Sequence, residues 1–293
     1  LCGEVTTAAA AATGLKAGTP VLFGTVDGAA AGIEAGVVEA GIAAEMTGTS
    51  TVLITTSTKA ATHEALTAFP HALAGLHLLI GAQSTSGACL RWYRDQFGMA
   101  EVSASERLNV SPFELMTQQA ANAEAGSSGL IFLPYMMGER SPLWDSYARG
   151  VFFGLSLAST RADFIRSILE GVAFALRHNI ETAREAGASI EELRSIGGGS
   201  RSALWNQIKA DVLGIPIALP ETSVGAPFGD AVLVALGMGV ISDASEFLDA
   251  RVRIRQRFYP DASHHDRYNQ IYRVFRQIYQ DLRLTFQREG QLT

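Results

Sequence analysis

The 293-residue chain is long enough to bury a substantial core as one large domain or two smaller ones. With 47% hydrophobic and 18% charged residues, its composition excludes an intrinsically disordered protein. The formal net charge of −6 is unevenly distributed, because residues 251–293 carry nine arginines against four acidic residues.

Cysteine content and hydropathy bear on location. Cys2 and Cys89 are too few for a disulfide framework, which favours a reducing, cytoplasmic compartment. No basic and apolar leader is visible at the start of the chain, so no secretory signal is expected. The best transmembrane candidate, 224–241, contains Pro227 and Asp230. We therefore predict a buried helix of small residues there and no membrane partner.

Strands and helices alternate along the chain. Short apolar runs predict strands over 20–26, 43–46, 51–56, 77–80, 130–133, 151–157, 193–196 and 215–219. Caps and helical periodicity predict helices over 5–13, 29–35, 84–97, 111–123, 160–187, 202–213 and 226–236. This alternation predicts an α/β domain with a mixed sheet, and no convincing linker divides it.

The basic C-terminal segment has two interpretations. Its arginines raise the question of a nucleic-acid partner. However, apolar residues recur at three- and four-residue steps from Tyr268 to Leu282. This spacing indicates one apolar helix face with the arginines on the solvated side. We therefore predict a helix that docks on the domain, and no nucleic-acid partner.

Three glycine-containing turns follow or precede apolar runs. The Gly24–Gly28 turn would present the carboxylate of Asp27 at the end of a strand, and the Thr47–Thr51 turn offers backbone N–H groups suited to a phosphate. Together they suggest phosphoryl transfer to a hydroxyl, although short turns of this composition are also common in hairpins. The third turn, Gly197–Ser200, is either a nucleotide site or a tight strand-to-helix connection.

Several other chemistries lack support in the sequence. The glycines match neither the dinucleotide-binding fingerprint nor the phosphate loop that ends in Gly-Lys-Ser/Thr. The six histidines do not have metal-ligand spacing, and no nucleophile elbow is present. No metal ligands are predicted within this chain.

Ordered motifs carry a family resemblance. The segments 150–155 and 163–170 resemble the second signature of the FGGY carbohydrate kinases, and the other motifs follow the C-terminal half of that family in order, over about residues 3–285. These motifs are Gly18-Thr-Pro20, Asp27-Gly28, Gly48-Thr49-Ser50, Gly87-Ala88, Phe132-Leu-Pro134, Gly138-Glu-Arg140-Ser-Pro142, Gly197-Gly-Gly199-Ser-Arg-Ser202 and Ala210-Asp211-Val-Leu-Gly214. Within the family the chain is most similar to the xylulokinases, because Gly138-Glu-Arg140-Ser-Pro142 nearly repeats their Gly-Glu-Arg-Thr-Pro stretch.

The resemblance implies a ribonuclease-H-like, actin/hexokinase-type ATPase domain with a mixed sheet and flanking helices. It implies that residues 1–293 are the ATP-binding C-terminal domain, and that the N-terminal sugar-binding domain is absent from this chain. The expected reaction is the ATP-dependent phosphorylation of a sugar hydroxyl, with a pentulose such as xylulose as substrate and with Mg²⁺ on the nucleotide. Gluconate, ribulose or another polyol is the alternative substrate, and a non-catalytic nucleotide-binding or regulatory module is the alternative class. The isolated chain is expected to be inactive, and a homodimer is left open.

The resemblance also assigns roles to residues. Asp27 matches the general base, and Thr49 matches the threonine that contacts the phosphate. The nucleotide would bind between the 48–50 and 197–200 turns. The full set of nucleotide-binding residues is Gly48, Thr49, Ser50, Gly87, Arg91, Gly198, Gly199, Ser200 and Ala203. Arg91 and Ala203 depart from the glutamine and asparagine of glycerol kinases, and an alanine cannot donate a side-chain hydrogen bond to adenine.

Overall fold

A computed structural model of the chain describes residues 1–221 and 225–290. The strands in the described part are β1 Gly3–Glu4, β2 Pro20–Val21, β3 Gly41–Thr47, β4 Thr51–Ser57, β5 Thr67–Pro70, β6 His77–Gln83, β7 Ile131–Pro134, β8 Gly150–Phe153, β9 Ile190–Ile196, β10 Ile217–Pro220 and β11 Ile254–Phe258. The helices are α1 Thr7–Thr13, α2 Asp27–Glu34, α3 Gly87–Phe97, α4 Met99–Leu108, α5 Pro112–Ala120, α6 Arg161–Glu185, α7 Ala203–Leu213, α8 Ala226–Gly237, α9 Ala244–Asp249 and α10 Ala262–Glu289.

The central sheet has seven strands in the order β11-β10-β9-β3-β4-β6-β5. Strand β9 lies parallel to both β3 and β10, whereas the other neighbouring strands are antiparallel. The predicted mixed sheet is therefore confirmed. Two small hairpins, β1 with β2 and β7 with β8, lie outside this sheet.

Both faces of the central strands are buried. On β3, Ala43 packs in the large core with α6 while the next residue, Ala44, packs in the core beneath α2. Leu53 and Ile54 of β4 divide between the same two cores. Successive side chains of a strand point to opposite faces, so helices on both sides explain why most residues of these two strands are buried.

The long helix α6 forms the centre of the larger core. Thr160 caps it, and Thr160 and Asp163 form a reciprocal capping box at its first turn. Helix α10 packs on this core through the apolar face predicted from the sequence, with Tyr268, Phe275 and Ile278 buried. The docking interpretation of the basic segment is therefore confirmed.

Some boundaries and elements differ from the prediction. The strand expected over 20–26 ends at Val21, and the strand expected over 151–157 ends at Phe153, because each pairs only with a short partner. Helix α8 is also not the buried helix that the sequence predicted, since Gly229 and Val232 are its only buried residues. Residue 224, at the start of that predicted stretch, lies outside the described residues. Within the described ranges, no helix combines the length and the apolar character needed to cross a bilayer.

Candidate functional site

The turn between β3 and β4 is held against the start of α3. The Gly48 N–H donates to the Ser50 carbonyl at 2.8 Å, which closes the turn. The Thr49 carbonyl accepts from the Ser86 and Ala88 N–H groups at 3.0 and 3.1 Å. Position 87 must be glycine, because a Cβ there would overlap the Gly48 carbonyl oxygen. Gly48 and Thr49 remain exposed at the tip.

The second glycine turn follows β9 and leads through a 3₁₀ turn, Gly198–Arg201, into α7. Gly197 has a φ of +81°, and a Cβ there would lie 2.8 Å from the Thr47 carbonyl oxygen. A Cβ on Gly199 would lie 2.5 Å from Thr47 Cγ2. These glycines therefore allow the second turn to pack directly on the stem of the first. The Ser202 side chain caps α7 by accepting from the Trp205 N–H at 3.2 Å.

A cavity of about 960 Å³ opens between these two turns and the helices α3, α5 and α7. Of the predicted nucleotide-binding residues, those that line it are Gly48, Thr49, Gly87, Arg91, Gly198, Gly199 and Ala203. Ser50 and Ser200 do not line it. The Ser50 carbonyl closes the first turn, and the Ser200 hydroxyl donates to the Gly197 carbonyl at 2.8 Å. The structure thus brings together residues from three distant motifs.

Helix α5 forms a wall of the cavity that the sequence did not assign to the site. Phe113, Thr117 and Ala121 repeat every four residues on one side of this helix, and Gln118 lies beside them. The same spacing could have indicated a continuous lining face, but nothing in it distinguishes a ligand from a neighbouring helix. The other lining residues, which are not in the predicted nucleotide-binding set, are Thr47, Leu90, Ser111, Glu114, Arg201, Ser202, Leu204 and Trp205.

Two exposed cations line this cavity. The Arg91 guanidinium donates to the Thr49 hydroxyl at 3.2 Å, so it already lies over the tip of the first turn. Arg201 lies in the second turn, at the other wall. Positive charges beside exposed backbone N–H groups form an anion-binding environment. The apolar surface near Phe113 and Leu90 suits a flat ring instead.

Asp27 lies apart from the cavity lining. The sequence placed it at the end of a strand, but β2 ends six residues earlier and Asp27 is the first residue of α2. Its carboxylate is exposed and accepts from the Gly28 N–H at 2.7 Å. The first turn of a helix favours a negative charge, so a carboxylate is well accommodated there. The carboxylate is therefore accessible to a ligand that approaches this end of α2.

Two titratable groups at the start of α3 are buried and do not line the cavity. Burial raises the pKa of the Glu139 carboxyl to about 7, although the side chain accepts from the Ser84 N–H at 2.6 Å and the Arg140 N–H at 2.8 Å. Burial also raises the pKa of the Cys89 thiol to about 12, which makes it a poor nucleophile. Within residues 1–221 and 225–290, no group of three or more His, Cys, Asp or Glu side chains could hold a metal ion.

Several known proteins are similar to this chain in sequence and in fold. Residues 43–238 match the FGGY family of carbohydrate kinases, C-terminal domain. Xylulose kinase of Staphylococcus epidermidis is 32% identical over 94% of this chain and 54% of its own length. Gluconokinase of Bacillus subtilis is 32% identical over 78% of this chain and 45% of its own length. The crystal structure of xylulose kinase from Rhodospirillum rubrum superposes with a TM-score of 0.87 at 32% identity, covering 97% of this chain and 56% of that one.

These similarities define first the fold and then the family. The fold is that of the actin/hexokinase-like ATPase domains, with a mixed sheet between layers of helices. The chain belongs to the FGGY family of carbohydrate kinases, and its residues 43–238 match the C-terminal domain of that family. It spans about half the length of the curated relatives it matches.

Proposed function

We propose that this chain is the nucleotide-binding half of an ATP-dependent sugar kinase. The observation that supports this function best is that one cavity is lined by both glycine turns and by Arg91. Such a cavity combines the exposed backbone of Gly48 and Thr49 and a cation with an apolar wall, a combination that suits a nucleotide.

In this proposal, the two parts of ATP occupy different regions of the cavity. The phosphates bind over Gly48 and Thr49, and Arg91 exchanges its hydrogen bond to Thr49 for one to a phosphate oxygen. The adenosine lies between Gly198, Ala203 and the Phe113 side of α5. Gln118 and Thr117 supply polar groups there that Ala203 does not have.

The proposed general base is Asp27. Its carboxylate would orient the attacking sugar hydroxyl and accept its proton while the oxygen attacks the γ-phosphorus. Phosphoryl transfer otherwise depends on positioning and on stabilisation of the phosphate charge. Gly48, Thr49 and Arg91 are the groups of this chain that supply that stabilisation.

Mg²⁺ would bind through the nucleotide in this proposal. The described part of the chain offers no cluster of side chains that could enclose the ion by itself. Mg²⁺ commonly retains waters and binds phosphates with only one or two carboxylates. When bound, the ion would neutralise phosphate charge, and we assign none of its ligands to this chain.

The proposed substrate is a pentulose such as xylulose, and gluconate is the second candidate. Both rest on relatives, since a xylulose kinase and a gluconokinase each share 32% identity with the chain. We further propose that the sugar is bound largely by the part of the FGGY kinase fold that residues 1–293 do not span. A substrate panel with the full-length protein distinguishes the candidates: higher kcat/KM for xylulose than for gluconate supports the first, and the reverse supports the second.

Calorimetric titration of the chain with ADP tests the nucleotide-binding proposal. We expect saturable binding of one ADP per chain and no sugar-dependent ADP release from ATP, because one wall of the cleft cannot position a sugar or exclude water. Absence of ADP binding by the folded chain would reject the nucleotide site. Robust xylulose- or gluconate-dependent ADP release would instead reject the division of labour between two domains.

A further inference from the structure

A buried ion pair lies beneath the cavity and has no part in the chemistry proposed above. Glu45 of β3 and Lys209 of α7 pair directly, and their side chains are 0% and 1% exposed. The Ser195 hydroxyl donates to the same carboxylate oxygen, and the Lys209 ammonium lies 5.1 Å from the centre of the Trp205 ring. The pair therefore joins two strands and a helix that border the site.

The other oxygen of the Glu45 carboxylate controls the first turn. It accepts a hydrogen bond from the Thr47 hydroxyl, which in turn lies 2.8 Å from the Thr51 hydroxyl. A hydroxyl has one proton, so Thr51 must be the donor in the second bond. Thr47 and Thr51 are the two ends of the 48–50 turn. One carboxylate thus orients both ends through a chain of hydrogen bonds.

The same pair also fixes the second turn. Lys209 lies on α7, and the residues just before this helix form the 197–201 wall of the cavity. Thr47 contacts that wall directly, because Gly197 and Gly199 pack on its carbonyl oxygen and its methyl group. Any shift of Thr47 therefore changes the distance between the two turns.

Stability alone is a poor explanation for this pair. Removing two charges from water costs free energy, so a buried ion pair often stabilises a fold no more than an apolar pair of similar volume. We propose that Glu45, whose negative charge is balanced by Lys209, is a positioning residue. It sets the separation of the two turns for nucleotide binding. This inference rests on the proposed function, since it concerns the same cavity.

The test compares two double variants. Glu45→Leu/Lys209→Met removes both charges and the acceptor for Thr47, whereas Glu45→Gln/Lys209→Met removes the charges but keeps an acceptor. We expect ADP to bind about tenfold or more weakly to the first, as for the misalignment of a hydrogen bond to a charged phosphate. The second should bind ADP with an affinity within about threefold of that of the parent, because its amide oxygen can still accept from Thr47.

A matched control separates positioning from general destabilisation. Arg166 and Glu170 form another buried ion pair, whose carboxylate also accepts several hydrogen bonds, on α6. Neither residue lines the cavity. Arg166→Met/Glu170→Leu should lower the melting temperature but leave ADP affinity within about twofold of the parent, because its hydrogen bonds lie elsewhere. Equal loss of ADP affinity in this control and in Glu45→Leu/Lys209→Met would overturn the proposal.

A milder variant covers the case in which the Leu/Met double variant does not fold. Thr51 is buried and does not line the cavity. Thr51→Val replaces only its hydroxyl, with a methyl group, whereas Thr51→Ser keeps the hydroxyl. Weaker ADP binding by the Val variant, with parental binding by the Ser variant, supports positioning through Thr47. Unchanged ADP affinity in Thr51→Val, together with no gain in amide hydrogen exchange at Gly48 and Gly87 in that variant, contradicts it. The exchange measurement needs no nucleotide, so it separates failure of this inference from failure of the nucleotide site.

Discussion

Asp27 is the proposed general base, and this role depends on its carboxylate oxygen accepting a proton. In the intact protein, Asp27→Asn keeps the shape of the side chain but removes the proton acceptor. We expect kcat to fall at least about 100-fold, as for the loss of a general base, while ADP affinity stays unchanged. The carboxylate is exposed, so the folded state should tolerate the change. Steady-state kinetics check this, and a variant that retains half of the parental kcat would exclude Asp27 as the base.

Gly198 and Gly199 are adjacent, yet substitutions at them should act differently. A Cβ at Gly198 would meet only the Thr47 carbonyl oxygen, at 3.9 Å, whereas one at Gly199 would overlap the Thr47 side chain. Gly198→Val should therefore fold normally and abolish ADP binding by occupying the cavity. Gly199→Val should also lower the free energy of unfolding, by about 1–3 kcal/mol for overpacking. Thr49→Ala is the comparison variant, with a loss of about 1.5–3 kcal/mol in binding for one bond to a charged phosphate.

Calorimetric titration with ADP and thermal unfolding of each variant measure these effects. Normal ADP affinity in a folded Gly198→Val variant would move the nucleotide away from this turn.

Ionisation of the buried Glu139 carboxyl makes the free energy of unfolding depend on pH. Its folded pKa of about 7 lies above the ordinary 4.5, so the folded state holds this proton more tightly than the unfolded state. Its contribution to the free energy of unfolding therefore falls as the pH rises from about 4.5 to 7, by about 1–3 kcal/mol. Glu139→Gln should lose this dependence, because it cannot ionise. Denaturant unfolding at pH 5 and pH 8 tests this; a variant-minus-parent difference that is the same at both pH values contradicts it.

The close crossing of helices α2 and α8 depends on Gly229. A Cβ there would lie 2.6 Å from the carbonyl carbon of Ala30, so the two helices could not approach as closely. Alanine normally stabilises a helix relative to glycine by about 1 kcal/mol. We expect Gly229→Ala to have the opposite sign and to destabilise by about 1–3 kcal/mol, because overpacking outweighs propensity.

Because α2 begins at Asp27, a shift of this helix would also displace the proposed base. The intact Gly229→Ala protein should therefore have a lower kcat with little change in nucleotide affinity. Ala231→Val, at an exposed position of α8, is the control and should change neither property by much. A rise in melting temperature for Gly229→Ala would show that the close crossing is not required.

The sequence predicted those elements that have strong local signals. The Thr160 cap and the apolar face of α6 defined that helix, and the spacing in α10 defined its docked face. Strand β11 was missed because Ile254–Phe258 is arginine-rich and largely exposed at the sheet edge. Its place in the sheet comes from pairing with β10, which is a tertiary contact. Composition of a segment cannot report such pairing.

The site combines features that the sequence could predict with features that it could not. The glycine turns were visible because close backbone approach requires a particular residue type. The α5 wall was not, because Thr117 and Gln118 are ordinary helix residues that only folding brings opposite Ala203. The buried Glu45–Lys209 pair was invisible for the same reason, since its partners are 164 positions apart.

The pairing of β3 with β9 has a consequence for folding kinetics. Contacts between such distant parts of a chain form slowly, because a long loop must be ordered before they yield any gain. Both turns of the cavity lie at the ends of these two strands, so the nucleotide site is completed only when they pair. ADP should therefore bind only after the main kinetic barrier is crossed. We expect saturating ADP to slow unfolding in denaturant while leaving the refolding rate unchanged. Stopped-flow fluorescence with and without ADP measures both rates, and faster refolding with ADP would mean that the two strands pair early.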